Sequence, residues 1–155
     1  MNNNGKCTIT DGTQEDVDFI NKKIDEYNSS QVPFSQQPVE IGVNYSLKND
    51  NGNLVGGITA FIYGWKILYI HVLWVQDEYR HDGYGSMLLT KVENEAKNMG
   101  STLVHLDTFD FQAKDFYLKH GYELFGELNN CPPGHKRFYL KKVLKQINSK
   151  ESHNG

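Results

Sequence analysis

The chain has 155 residues, 23% of them charged, and a formal net charge of −3. This length suits one domain with a full hydrophobic core, and the mild acidic balance argues against a general nucleic-acid-binding protein. The sequence has no apolar run near the roughly 20 residues that cross a bilayer and no apolar leader segment, so we expect a cytoplasmic protein without a membrane partner. Its two cysteines, Cys7 and Cys131, share no motif and are expected to be free thiols.

The first part of the chain predicts a loosely ordered start followed by one helix. Residues 1–12 are polar, with a short edge strand expected around Cys7–Thr10. Thr13, followed three residues later by Asp16, is typical of a capping box, in which two residues at a helix start bond each other's backbone N–H groups. Apolar residues then recur at helical spacing, which predicts an amphipathic helix over Thr13–Asn28.

The rest of the chain predicts a mixed sheet. We expect strands at Val39–Lys48, Leu54–Tyr63, Ile67–Gln76, Thr102–Thr108, Tyr122–Leu128 and Phe138–Lys142, with one helix ending at Gly100 and another at Gln112–His120. Because a helix joins the third strand to the fourth, these two should run parallel through a right-handed crossover. The expected fold class is therefore α/β, a mixed sheet with helices on both sides, in a single domain of residues 13–145 that a mobile polar tail, 146–155, follows.

A glycine-punctuated loop joins the strand Ile67–Gln76 to its helix. It reads Arg80-His81-Asp82-Gly83-Tyr84-Gly85. Exposed backbone N–H groups and the positive end of the helix dipole favour an anion such as phosphate at such a place. A G-x-G turn alone is weak evidence, and the arginine three residues before Gly83 makes the pattern more specific.

Two segments together resemble the GNAT superfamily of N-acetyltransferases. R-x-x-G-x-G entering a helix is similar to that family's acetyl-CoA signature, and Gln112–Gly126, QAKDFYLKHGYELFG, resembles its A-x-x-F-Y-x-K-x-G-F segment. More narrowly, the motifs resemble small bacterial members without an assigned acceptor. The resemblance implies a six- to seven-stranded sheet that splays between its two parallel central strands, with a bulge in the first of them. It also implies an acyltransferase that uses acetyl-CoA as co-substrate and needs no metal.

The resemblance further implies where the cofactor would bind. Backbone amides from Arg80 to Ser86 would hold the pyrophosphate, and the pantetheine arm would pair with backbone groups in the splay. Asp110 stands where many family members have asparagine, and Gln112 is a possible substitute because an aspartate cannot donate an amide hydrogen bond. The full set of expected cofactor contacts is Trp74, Val75, Gln76, Arg80, His81, Asp82, Gly83, Tyr84, Gly85, Ser86, Asp110, Gln112 and Tyr117.

Three residues are candidates for the chemistry. Tyr117 matches the family tyrosine that protonates the departing thiolate, its alternative being a core tyrosine. His71 stands where the arylalkylamine branch has a histidine that acts as base through water, its alternative being a buried, hydrogen-bonded histidine. Asp107 is an auxiliary base or an anchor for the amine. Together with His105, His71 and Asp107 could also ligate a metal, but no spacing matches a known zinc pattern.

The strand that carries His71 should alternate its side chains between two faces. Its alternation predicts that Tyr69, His71, Leu73 and Val75 share one face. That face would form the floor of the catalytic cleft.

We expect the acceptor to be the primary amine of a small molecule, with a peptide or protein amine as the alternative, and the protein to be a monomer or homodimer. Acceptor contacts would come from the variable loops, and the expected contacts are Phe34, Glu40, Tyr69 and His135. The loop around His135 is either a rigid pocket wall or a simple connection. An acyl-CoA-binding regulatory or sensor protein of the same fold is the alternative function.

Overall fold

The structure, a computed structural model, describes residues 5–145. The chain divides into two compact units, Met1–Phe34 and Ser35–Gly155. The predicted tail, 146–155, lies outside the described residues.

The first unit contains one long helix, α1, at Gln14–Gln31. Thr13 caps it, and the capping box with Asp16 is confirmed, because each residue's side chain accepts a hydrogen bond from the other's backbone N–H. The helix continues three residues beyond the predicted end at Asn28. The edge strand expected at Cys7–Thr10 is wrong, since these described residues have no regular structure.

The second unit is built on a six-stranded mixed sheet with the order β1-β2-β3-β4-β6-β5. Its strands are β1 Glu40–Lys48, β2 Leu54–Tyr63, β3 Ile67–Val75, β4 Leu103–Phe109, β5 Glu123–Asn129 and β6 Lys136–Val143, and its helices are α2 Tyr84–Asn98 and α3 Lys114–Lys119. Among the described strands, β3 and β4 pair in parallel and the other neighbours are antiparallel. The predicted fold class and the parallel pair are confirmed.

One hydrophobic core packs α2 and α3 against the sheet. It includes Leu89, Val92 and Ala96 of α2, Tyr117 of α3, and strand residues such as Leu68, Ile70, Val104, Leu106 and Leu140. Fully burying a leucine- or valine-sized side chain stabilises a fold by roughly 1.5–3 kcal/mol. The sheet face that takes part in this core is called the core face below, and the other is called the opposite face.

A β-bulge interrupts β3 at His71. Ala60 of β2 lies opposite Ile70 of β3, and the preceding residue, Thr59, lies opposite Val72. His71 is therefore the extra residue that has no partner in the β2 ladder. A bulge bends the strand and redirects the side chains that follow it.

The bulge changes which β3 residues face the core. Leu68 is buried in the core before the bulge, and Leu73 and Val75 pack against the same core after it. The prediction that Leu73 and Val75 share a face with Tyr69 is therefore wrong, because strand alternation skips one residue at His71. Apolar contact continues on the core face, and the redirected residues on the opposite face are the more exposed ones.

The two parallel strands pair over a short distance only. Their ladder contains Leu68 opposite Val104, Tyr69 opposite His105, and Ile70 opposite Leu106. Beyond these pairs β3 and β4 continue without pairing to each other. The predicted splay is therefore present, and it opens between the carboxyl ends of two parallel strands, where ligands commonly bind in open α/β sheets.

Candidate active site

Backbone groups of β3 line one side of the splay. The Gln76 N–H donates to the Val55 carbonyl of β2 at 2.8 Å, so it points away from the splay. The groups of Val75 point the other way because successive backbone groups alternate along a strand. The Val75 carbonyl accepts a hydrogen bond from Nε of Arg80 at 2.8 Å. Of the predicted backbone contacts, the Val75 N–H is thus the one directed into the splay, while Trp74 exposes 46% of its surface.

The loop before α2 has the backbone geometry of an anion site. His81 and Gly83 both have positive φ angles, 73° and 84°. No side chain caps α2 and no acidic residue lies in its first turn. The first i-to-i−4 hydrogen bond of α2 joins the Met87 N–H to the Gly83 carbonyl. The N–H groups of residues 84–86 are therefore outside the helical hydrogen-bond ladder. Such a concavity of N–H groups at a positive helix end can hold a phosphate.

The Arg80 side chain stabilises this loop through two contacts. Besides the Val75 carbonyl, its guanidinium contacts Asp77, with Nη1 2.9 Å from the carboxylate. The Arg80 side chain, which could also contact a phosphate, is therefore engaged in two contacts within the protein. His81 and Asp82 are exposed, as an anion site open to a large cofactor requires.

The two recognised motifs meet at the first turn of α2. A Cβ added to Gly85 would lie 3.5 Å from the Phe116 ring of α3. His120 follows α3, and its Nε2 lies 2.9 Å from Oγ of Ser86 while its Nδ1 lies 2.8 Å from the Phe116 carbonyl. Sequence reasoning missed His120. Its place in FYLKHGY, directly before Gly121, was the available signal.

Tyr117 belongs both to the core and to the second motif. It is 6% exposed, and its ring packs edge-on against Phe116 and Tyr122. Burial raises the pKa of Tyr117 to about 12. The raised pKa makes the Tyr117 hydroxyl a weaker acid than the hydroxyl of an exposed tyrosine, which is itself protonated at neutral pH.

A hydrogen-bonded network lies on the opposite face beside the splay. The Tyr69 hydroxyl donates to Oδ2 of Asp107 at 2.9 Å. Nε of Arg137 donates to Oδ1 at 2.9 Å, and Nη2 contacts the same oxygen. Burial, with help from the hydrogen bond to Asp107, raises the pKa of Tyr69 to about 12. Both carboxylate oxygens of Asp107 are engaged, which favours an anchoring role over that of a free base. Arg137 had no signal in the sequence.

His71 lies at the bulge next to this network. Its ring is exposed and stacks on the Tyr69 ring with centroids 6.4 Å apart. His105 instead pairs through Nε2 with the Tyr63 hydroxyl at 2.8 Å, and burial lowers the pKa of His105. His71, His105 and Asp107 do not form a metal-binding group. Within residues 5–145, no group of three or more His, Cys, Asp or Glu side chains is arranged to hold a metal ion.

Asp110 and Gln112 serve local structure after β4. Asp110 accepts from the Lys136 N–H and from Nδ1 of His135, both at 2.9 Å. Slight burial acts to raise the pKa of Asp110, but these hydrogen bonds outweigh it and lower that pKa. Oε1 of Gln112 accepts from the Phe109 N–H at 2.8 Å. A cofactor contact of Asp110 would compete with its bonds, whereas the bonds of Gln112 use Oε1 and not the amide N–H groups that would donate to the cofactor. His135 is fixed by Asp110.

The two other predicted acceptor contacts belong to different units. Glu40 is exposed at the start of β1, opposite Tyr63 of β2. Phe34 is half-buried at the end of the first unit. Glu40 thus presents a carboxylate to solvent, which suits contact with a cation.

The chain is similar to known acetyltransferases along most of its length. A family model described as the acetyltransferase (GNAT) family matches residues 18–122. A Blasticidin-S acetyltransferase of Streptomyces morookaense is 33% identical over 109 residues, which are 70% of this chain and 79% of that protein. The crystal structure of an acetyltransferase from Bacillus cereus ATCC 14579 has a TM-score of 0.79 and 38% identity, over 89% of this chain and 98% of that chain.

A more distant structure shares the fold. An aminoglycoside 6′-N-acetyltransferase complexed with coenzyme A is 18% identical and has a TM-score of 0.61, over 90% of this chain and 99% of that chain. As for membranes, no helix within residues 5–145 is long and apolar enough to span one.

Proposed function

The chain belongs to the GNAT acetyltransferase family and is therefore an acyltransferase, and from this premise we propose that it moves an acetyl group from acetyl-CoA to the primary amine of a small molecule. The observation that carries the proposal is the unpaired splay of β3 and β4 beside the uncapped start of α2. One feature offers backbone groups to a pantetheine arm. The other offers three consecutive N–H groups to a pyrophosphate.

The residues of the chain hold the donor in two places. The N–H groups of Tyr84, Gly85 and Ser86 bind the pyrophosphate, and the positive φ of Gly83 turns the loop towards it. The Val75 N–H pairs with the pantetheine amide in the splay. When bound, acetyl-CoA supplies the acetyl thioester. With these contacts, the thioester would lie near the carboxyl ends of β3 and β4.

Transfer forms a nitrogen–carbon bond and breaks a carbon–sulfur bond, so the amine loses a proton and the thiolate gains one. Tyr117 is the proposed donor of the second proton, because it matches the family tyrosine and its phenol can give a proton to the thiolate. His71 takes the first proton through water, because it is exposed at the bulge where the splay begins. Asp107 holds Tyr69 and Arg137 in place beside it.

A small-molecule acceptor is favoured over a protein. By its name, the relative from Streptomyces morookaense acetylates blasticidin S, a small molecule. The exposed carboxylate of Glu40 and the net charge of −3 are compatible with a cationic amine. Tyr69 and His135, both in the second unit, remain the other proposed acceptor contacts.

The test is release of free coenzyme A thiol from acetyl-CoA across a panel of primary amines, including cationic antibiotics and polyamines, with the product identified by mass. We expect at least one small amine to gain an acetyl group, and lysine-containing peptides to react more slowly. Reaction mixtures without amine control for hydrolysis. If calorimetry detects coenzyme A binding but no amine is acetylated, the chain is a CoA-binding regulator and the proposal fails.

A further inference from the structure

We propose that His120 is a positioning residue for the pyrophosphate end of the donor site, acting through Ser86; this inference rests on the proposed function. His120 and Ser86 are 34 positions apart in the sequence. Their hydrogen bond of 2.9 Å joins the residue after α3 to the first turn of α2. It connects Ser86, the residue directly after the R-x-x-G-x-G loop, to the Gln112–Gly126 segment.

The chemistry of the two bonds fixes their direction. The Phe116 carbonyl can only accept a hydrogen bond, so Nδ1 of His120 carries a hydrogen. In the neutral ring Nε2 is then an acceptor, and the Ser86 hydroxyl donates to it. The hydroxyl hydrogen of Ser86 is thereby directed towards α3.

This arrangement determines what Ser86 offers to an anion. Ser86 is the third residue of α2, and its backbone N–H is the last one outside the helical ladder, because the Met87 N–H already bonds to the Gly83 carbonyl. A serine near a helix start readily turns its hydroxyl to bond nearby backbone groups. By holding the Ser86 side chain against α3, the bond to His120 restricts the positions that its Oγ can take near the N–H groups that would bind the phosphate.

His120 also limits how far α3 can move from α2. It is half-buried, and its ring packs on Phe116 with centroids 4.4 Å apart. Phe116 in turn lies beneath Gly85, so the ring contact and the hydrogen bond hold the same turn. Removing the imidazole should therefore loosen the first turn of α2, where the pyrophosphate binds, more than the splay, where pantetheine binds.

The experiment measures binding rather than turnover, so it does not depend on finding the acceptor. Dissociation constants for coenzyme A, ADP and pantetheine are determined by calorimetry, with competition against coenzyme A for the weak fragments. His120→Ala should weaken coenzyme A and ADP by about five- to tenfold, the range of one lost hydrogen bond. Pantetheine, which lacks the pyrophosphate, should weaken by less than a third of that factor.

Two further variants separate positioning from a general loss of structure. His120→Gln keeps an amide near the position of Nε2 and should restore most of the affinity for ADP. Combining His120→Ala with Ser86→Ala should weaken binding no further than Ser86→Ala alone, because the two residues act as a unit. Leu118→Ala, a change at an exposed position of α3 two residues before His120, is the matched control.

Equal weakening of ADP and pantetheine, or full additivity with Ser86→Ala, would show that His120 acts on the fold as a whole and would overturn the inference. Unchanged ADP binding in His120→Ala would overturn it too. These outcomes differ from failure of the proposed function, in which coenzyme A binds and no amine is acetylated.

Discussion

The Tyr69 hydroxyl donates to the Asp107 carboxylate across the point where β3 and β4 stop pairing. The last paired residues are Ile70 and Leu106, and the 2.9 Å bond connects the residue before one to the residue after the other. Arg137 of β6 holds the second carboxylate oxygen. Side-chain hydrogen bonds therefore connect β3, β4 and β6 where the backbone ladder between β3 and β4 ends. They stabilise the edges of the splay without filling it.

Asp107→Asn should destabilise the protein by about 1–3 kcal/mol, because the amide cannot accept from both Tyr69 and Arg137 as the carboxylate does, and the guanidinium loses its counter-charge. Tyr69→Phe, which removes one hydrogen bond, should cost about 1 kcal/mol. Urea unfolding at neutral pH measures both free energies. Glu123→Gln is the control, since its 3.8 Å ion pair with Lys141 is exposed and should be worth less than about 1 kcal/mol. An Asp107→Asn loss no larger than the control's would contradict the connection.

The two loop glycines should respond differently to alanine. Gly83 has φ of 84°, so an alanine there is strained by roughly 1–2 kcal/mol although nothing lies within 4 Å of its Cβ. An alanine at Gly85 would make an ordinary contact of 3.5 Å with Phe116. We expect Gly83→Ala to lower both the free energy of unfolding and the affinity for coenzyme A. Gly85→Ala should leave the free energy of unfolding nearly unchanged and should change the affinity for coenzyme A by no more than about twofold.

Gly83→Asn tests the reason for this difference, because asparagine adopts the left-handed conformation more readily than alanine. It should recover part of the affinity measured by calorimetry. Loss of binding in Gly85→Ala would mean instead that the added methyl group meets the ligand, contrary to its contact with α3.

Local patterns were enough to predict most elements of the fold. The capping box of Thr13, the glycine turns and the alternation of apolar residues are each determined by neighbours in sequence. The prediction of a strand at Cys7–Thr10 was wrong. This segment is polar and alternates weakly, so its sequence does not show whether a neighbouring strand will pair with it. The bulge at His71 was implied by the resemblance but could not be located from the pattern. The residues before and after the bulge are both apolar, so the apolar pattern does not show where the extra residue lies.

The side-chain contacts of the site were largely beyond reach of the sequence. Arg137 contacts Asp107 from 30 positions away, and His120 contacts Ser86 from 34. Such pairs depend on how strands and helices are arranged, which no local spacing encodes. Asp110 could be identified as a departure from the family pattern, but not as the partner of His135.

The half-buried His105 should make stability depend on pH in the acid range. Burial lowers its pKa below 6.5 in the folded protein, where neutral Nε2 pairs with the Tyr63 hydroxyl. The unfolded chain takes up the proton first as the pH falls, so the free energy of unfolding should decrease below about pH 6.5. Urea unfolding at about pH 7.5 and about pH 5.5 measures the decrease, which should be smaller in His105→Gln. The same decrease in both proteins would exclude His105 as its source.

Tyr117→Phe tests the proton donor. The variant keeps the ring contacts with Phe116 and Tyr122 but has no proton to give, so kcat should fall by roughly a hundredfold or more while the affinity for acetyl-CoA stays within about threefold. Tyr122→Phe is a matched control, because that buried hydroxyl bonds to Glu93 at 2.8 Å and should affect stability rather than kcat. Comparable kcat values for Tyr117→Phe and the native chain would remove Tyr117 from the reaction.

His71→Ala tests the base. Near neutral pH most primary amines are protonated, so loss of an assisting base should lower kcat/KM by roughly a hundredfold. At about pH 9.5 a larger fraction of the amine is already neutral, and the deficit should shrink to less than about tenfold. The exposed neighbour Val72 offers a control, Val72→Ala, which should follow the native profile at both pH values. A deficit that is constant with pH would assign proton removal to bulk water or to Asp107, and His71 would then contribute only its stacking contact with Tyr69.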